Sequence, residues 1–278
     1  MYLRRHNLPR LLVRTALLLA ALFSALEVLH AKREIARASS ADAVLRAAPY
    51  APGSERLFVT AIFWNNEAIL RTSLSAALLD LAARVGPQNV FVSIHESGSW
   101  DGTKEALREL DEALGRAGVA RKISTSNVTH EEEVNAVPEG DGWVVTPKGK
   151  KELRRIPYLA GQRNVALRPL VELAGRGERF DKVLFVNDVV FRTDDALRLL
   201  GTNGGEYAAA CAMDYKAPPG FYDTFALRDA RGEEHVMGTW PYFRARESRE
   251  AVVGLRDVPV KSCWNGMGKS TIPEGGSL

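Results

Sequence analysis

Polar side chains recur just past the apolar runs of this 278-residue sequence. Asn65, Asn66 and Glu67 follow LFVTAIFW (57–64), and Glu96, Ser97 and Asp101 close or follow NVFVSIHE (89–96). Asn187 and Asp188 end KVLFVND (182–188), and Asp214 lies near the end of YAAACAMDY (207–215). Open α/β sheets bind ligands beyond the carboxyl ends of their strands, so these are the positions where chemistry is expected. A carboxylate at such an end can hold a divalent cation, and the cation neutralises charge on a departing diphosphate. Asp188 is the best candidate ligand; the competing reading is a solvated turn at the strand end. Other apparent motifs fail on spacing. GMGKST (266–271) has Cys263 where a phosphate-binding loop needs glycine, His95-Glu96 has Ser99 where a zinc protease needs a second histidine, and no GxGxxG follows a strand. The acidic run 130–133 reads as a hydrated loop rather than a metal site.

Positioning these residues requires alternating strands and helices. Short apolar runs separated by longer stretches of helical spacing predict βα units around a mostly parallel sheet, an α/β fold. Leu70, Leu74, Ala77, Leu78 and Leu81 predict a helix over 68–85 that ends at Gly86-Pro87. Thr103 opens a second helix, with Leu107, Leu110 and Leu114 on one face. Residues 120–125 read as a weak third strand, 127–150 as a long surface loop, and 157–173 as a helix up to its internal Pro169. The run 182–188 has the continuous apolar character of a central strand. Residues 207–215 and 258–264 supply two more.

Composition narrows the possibilities. Nearly half of the residues are hydrophobic and both charge signs are abundant, so a substantial core is expected. The net charge of +3 includes Arg4, Arg5, Arg10 and Arg14 near the N-terminus, which argues against nucleic acid as a partner. The two cysteines, Cys211 and Cys263, rule out a disulfide framework and are read as buried free thiols in preference to a single disulfide. Residues 11–31 are long and apolar enough for one membrane span, the alternative being a signal peptide cleaved after Ala31. The implied division is a tail (1–10), the span (11–31), a stem (32–56), a folded domain (57–267) and an atypical end (268–278). Asn127-Val128-Thr129 is a glycosylation acceptor triplet that suits a lumenal loop.

Six stretches together resemble one family: FVSIHESGSWDGT, IPYLAGQRNVAL, KVLFVNDVVF, AAACAMDY, FYDTFALRD and VPVKSCWNGM. The sequence is similar to the fungal, cryptococcal-type α-1,3-mannosyltransferases associated with capsule synthesis, glycosyltransferase family 69. That resemblance implies a GT-A-like fold, type II anchoring in the Golgi or ER membrane with the catalytic part lumenal, a GDP-mannose donor and a glycan acceptor. It also implies α-1,3 transfer with retention and Mn²⁺ or Mg²⁺ as cofactor. Asn187, Asp188 and Val189 stand where such enzymes carry Asp-x-Asp, so Asp188 becomes the metal ligand and Asn187 replaces the first carboxylate. Asn65, Glu67, Glu96, Ser97, Arg163, Asn164 and Asn187 fall on the nucleotide-sugar side. Asp214 and Asp223 are the carboxylates offered for catalysis, with neither singled out as a nucleophile. Tyr222, Arg228, Asp229, Trp240 and Tyr242 fall on the acceptor side, joined by Phe221 as a further aromatic. Relatives continue past SCWNG with more strands, whereas 268–278 lack an apolar period, so a truncated, inactive scaffold is the alternative to an active enzyme. A different donor sugar is a third reading.

Overall fold

The computed structural model describes residues 8–46, 53–128, 132, 143–217, 220–222, 224–235 and 240–272. Helix α1 (Leu8–Arg46) contains the apolar window Leu12–Glu34, whose 23 residues are not buried against any of the described residues and are long enough to cross a bilayer. The stretch expected as a stem continues the same helix to Arg46.

A six-stranded sheet forms the body of the fold. Its strands are β1 (Leu57–Phe63), β2 (Val90–Glu96), β3 (Ala120–Thr125), β6 (Lys182–Val186), β7 (Ala209–Cys211) and β12 (Met267–Thr271), in the order β3-β2-β1-β6-β12-β7. The first four run parallel, while β12 runs antiparallel to both neighbours. The mostly parallel α/β class expected from the sequence is therefore the one adopted. Side chains alternate across each strand and so feed two separate cores. On one face Val59, Ala61, Val92, Ile94, Leu184 and Val186 pack with α2 (Ser75–Val85), α3 (Thr103–Arg116) and α5 (Thr193–Leu200). On the other, Phe58, Phe91, Val183 and Phe185 pack with Phe180 and with Leu170 of α4 (Arg155–Gly175). Each fully buried valine, isoleucine, leucine or phenylalanine among these contributes roughly 1.5–3 kcal/mol of transfer free energy.

Four expectations need correction. Helix α4 does not stop at Pro169; its interior continues to Gly175. A proline there leaves carbonyls of the preceding turn without helical donors. The buried Ser93 hydroxyl donates to the Ala166 carbonyl at 2.6 Å, and Thr60 adds a weaker bond at 3.5 Å, so the turn before the proline is fastened to the sheet. Residues 207–215 are not one strand: β7 ends at Cys211 and β8 (Tyr215–Ala217) pairs instead with β9 (Gly220–Phe221). The run 258–264 provides only β11 (Val260–Ser262), which pairs with β10 (Arg228–Asp229) outside the main sheet. The strand beside β6 in the main sheet is β12. Finally, Cys211 and Cys263 are joined in a disulfide with a Cα–Cα distance of 6.1 Å, and the free-thiol reading is wrong. Both sulfurs lie at the junction between the sheet and the segment entering β12, which brings together two residues 52 positions apart.

The surface loop after β3 contains a hairpin of β4 (Trp143–Val145) and β5 (Lys151–Leu153). A second aromatic core holds Phe221, Tyr242 and Phe243, packed with Val252 of α6 (Arg246–Val253).

Candidate active site

The register of the sheet sets the candidate residues in a row. Phe63 stands opposite Glu96 and Ala61 opposite Val186. Asn187 and Asp188 follow directly on Val186, where the β1–β6 pairing ends.

At the β1 and β2 ends, the polar residues are fastened chiefly to each other. Asn65 adopts φ 54°, which asparagine tolerates better than most residues. Its amide donates to Ser99 Oγ at 2.9 Å, and its Oδ1 accepts the Trp100 amide at 3.1 Å. The Asn66 amide donates to Thr103 Oγ1 at 2.7 Å, and Glu67 Oε2 accepts the Gly102 amide at 3.1 Å. Asp101 accepts the Thr103 amide and hydroxyl and the Glu67 amide. Burial pushes its pKa up, but those hydrogen bonds outweigh it and the net shift is downward. Glu96 is fully buried; it accepts the Ser99 amide and, at 3.3 Å, the Ser126 amide, with Lys104 Nζ 4.0 Å away. Ser97 is also buried and donates its amide to the Phe63 carbonyl at 3.0 Å. Glu96 and Ser97 thus hold the two loops in place. The result is a rigid rim from which Trp64 and Trp100 project, 40% and 69% exposed, in an edge-to-face pair at 4.8 Å.

At the β6 end the segment Cys263 to Gly266 gathers residues from three elements. The Asn187 amide donates to the Gly266 carbonyl and Asn187 Nδ2 to the Asn265 carbonyl, both at 2.8 Å. The Gly266 amide donates to Asp214 Oδ2 at 2.9 Å. The Arg163 guanidinium, from the middle of α4, lies over the Trp264 ring at 4.5 Å. A side chain at position 266 would put its Cβ 2.2 Å from Val189 Cγ1, so only glycine lets the chain pass so close to the strand end. Asp188 is exposed, and among the described residues it makes no hydrogen bond or ion pair. Asn164, next to Arg163, is exposed as well.

Beyond Asp214 lies the aromatic core. The Tyr222 amide donates to the Asp214 carbonyl at 2.9 Å, and the Tyr222 ring is 66% exposed. Tyr242 is buried among Tyr215, Phe221, Trp240 and Phe243, with ring centroids 5.6–6.4 Å away. Burial, then the proximity of Tyr242 and the Asp214 charge, raise the Tyr215 pKa well above its ordinary value. Arg228 donates to the Phe225 and Leu227 carbonyls and pairs with Glu234 at 3.3 Å. Asp229 is buried and accepts the Ala245, Arg231 and Glu233 amides. The structure therefore brings Asn187, Asp188, Asp214 and Arg163 together around one segment and sets Asn65, Glu67, Glu96 and Ser97 along the adjoining rim. Arg228 and Asp229 are turned to contacts of their own loop. Asp223 and most of the acidic run 130–133 lie outside the described residues.

Sequence reading missed Trp264, Asn265 and Gly266 as part of the site. They were visible within a recognised stretch, but only as a strand. It also missed His95, whose ring nitrogens contact Ser124 Oγ at 2.9 Å and Gln162 Oε1 at 2.8 Å, tying α4 to the sheet one residue before Arg163.

The profile of the cryptococcal mannosyltransferase 1 family matches residues 56–272, which includes β1 through β12. The chain belongs to that family. The strand end at Asn187–Asp188 and the Cys263–Gly266 segment are thus features of a mannosyltransferase-family domain. No curated protein matches the chain. Among solved structures it is similar to the mannosyltransferase PcManGT of Pyrobaculum calidifontis in complex with GDP-Man and Mn2+, at 14% identity and TM-score 0.31, covering 66% of this chain and 46% of that one. It is also similar to a mycobacterial protein, at 18% identity and TM-score 0.26, covering 56% and 38%. The chain spans less than half the length of either structure.

Proposed function

We propose that this family member transfers mannose from GDP-mannose to a hydroxyl of a glycan acceptor, forming an α-1,3 linkage with retention. The observation that carries this reading is that the Cys263–Gly266 segment, at the carboxyl end of the sheet, stacks its Trp264 on the Arg163 guanidinium and bonds Asn187, the residue before the exposed carboxylate Asp188. An arginine fork and a cation-binding carboxylate are the two groups that a diphosphate leaving group requires.

Among the described residues no three His, Cys, Asp or Glu side chains cluster as a protein-only metal site. Mg²⁺ and Mn²⁺ fit a different donor set, one or two carboxylates completed by substrate phosphates and water. Asp188 would hold Mn²⁺ or Mg²⁺ in that way, and the bound cation would offset charge on the diphosphate. Arg163 orients the diphosphate, the Asn65–Glu67 and Glu96–Ser97 rim walls the nucleotide, and Asp214 faces the sugar. Acceptor rings are taken by Tyr222 and Trp240. The apolar window of α1 anchors the chain as a type II protein of the Golgi or ER membrane. The disulfide suits the oxidising lumen of those compartments.

The test is GDP release from GDP-mannose by the full chain with Mn²⁺ and a glycan acceptor. Asp188→Ala is expected to lower release on the order of 10²–10³-fold without changing the melting temperature. A second reading, a binding or scaffold member without catalysis, is favoured by Asn187 standing where a second carboxylate would help hold the cation. A folded wild-type chain that releases no GDP from any nucleotide sugar in a donor panel supports that reading instead.

A further inference from the structure

Arg163 projects from the middle of α4 and Asp188 follows β6, so no geometry local to either element fixes one against the other. Trp264 does. Its ring meets the Arg163 guanidinium at 4.5 Å and packs edge-to-face on Phe185, inside β6, at 5.1 Å. The two residues after it are bonded to Asn187, immediately before Asp188. One indole therefore touches the helix that carries the arginine and the strand that leads to the carboxylate.

We propose that Trp264 is a positioning residue of the donor site, whose ring face sets the plane of the Arg163 guanidinium for the diphosphate. This rests on the nucleotide-sugar reading above. An arginine has many rotamers, and an unstacked one must be ordered each time a ligand binds. Stacking on a ring face fixes the plane of the guanidinium while its N–H groups point outward in that plane, the geometry of bidentate phosphate recognition. A ring whose only role was packing would be replaceable by any side chain of similar bulk.

The experiment measures binding of GDP and of guanosine, with Mn²⁺, to the full chain. Trp264→Leu keeps an apolar side chain but removes the ring face, Trp264→Phe keeps a face, and Arg163→Ala removes the group held. Trp264→Leu is expected to weaken GDP binding about tenfold while leaving guanosine binding unchanged. Trp264→Phe is expected to retain most of the GDP affinity. In the Arg163→Ala background Trp264→Leu is expected to add nothing, because the two residues act as a unit. Equal losses for GDP and guanosine, or additive losses in the double variant, overturn the inference and leave the nucleotide-sugar reading standing. A wild-type chain that binds no GDP overturns that reading, and the inference with it.

Discussion

At the scale of single residues, much of the polar rim is spent on holding loops together. Asn65, Glu67, Glu96 and Ser97 drew notice in the sequence because they end or follow apolar runs. Their division of labour was not legible, since Glu96 accepting the Ser99 and Ser126 amides depends on loops that fold back from elsewhere. Asp214 is the residue whose substitution speaks most directly to mechanism. If its carboxylate attacks the sugar, Asp214→Asn is expected to cut GDP release on the order of 10²–10⁴-fold. If phosphate and acceptor hydroxyl react on one face, the loss stays below about tenfold, because an amide oxygen can still accept the Gly266 amide. Lys269 offers a test of stability. It is 3% exposed, and its Nζ donates to the Leu200 carbonyl at 3.3 Å and lies 4.0 Å from the Tyr207 ring centre. Burial, reinforced by the Lys182 charge and opposed by Glu55, lowers its pKa to about 7. An unfolded lysine titrates near 10.4, so from about pH 7 to about pH 10.4 the unfolded chain binds more protons and this group makes stability rise with pH. Lys269→Met is therefore expected to raise the urea midpoint more at about pH 6 than at about pH 9. Equal gains at both would contradict a buried amine that is neutral at high pH.

At the scale of elements, β1, β2 and β6 were legible because strands covered on both faces must be apolar almost throughout. Strand β12 was not, because Met267-Gly268-Lys269-Ser270-Thr271 has one large apolar residue and its lysine is buried only by virtue of the Leu200 carbonyl and the Tyr207 ring. The reverse error, a full strand assigned to 258–264, has the same origin: apolar content reports burial, and Val258, Val260 and Cys263 are partly buried against an aromatic core rather than in the sheet. Helix α4 continues past Pro169, and Ser93 and Thr60 fasten its Ala166 turn to the sheet from a different layer, contacts no local window contains. The Cys211–Cys263 link joins the sheet to the residue before Trp264, so its loss should be felt at the site before it is felt by the fold. In the loop-entropy account a closed loop of this size contributes ~4 kcal/mol. Cys263→Ser is expected to lower the melting temperature and, at a temperature where the variant remains folded, to weaken GDP binding. Full GDP affinity in that folded variant would detach the disulfide from the site.

At the scale of the whole molecule, the apolar helix and the sheet domain were both visible from composition and periodicity alone. What composition could not show was a second, aromatic core beside Asp214, built by residues spread between Phe221 and Val252. The anchoring role of α1 is checked by fractionation. The full chain is expected to remain with membranes through an alkaline wash, and a chain beginning at Gly53 to be released, since a window of 23 apolar residues suffices to span.

Helix α1 does not end where its apolar window does. The twelve residues from Ile35 to Arg46 continue without a break, and at about 1.5 Å per residue they add a rod of roughly 18 Å. A rod, unlike a coil, fixes the height at which its far end stands off the lipid headgroups. If the window spans a bilayer and the acceptor is a glycan, as proposed, a stand-off of that length would favour acceptor hydroxyls held away from the membrane surface.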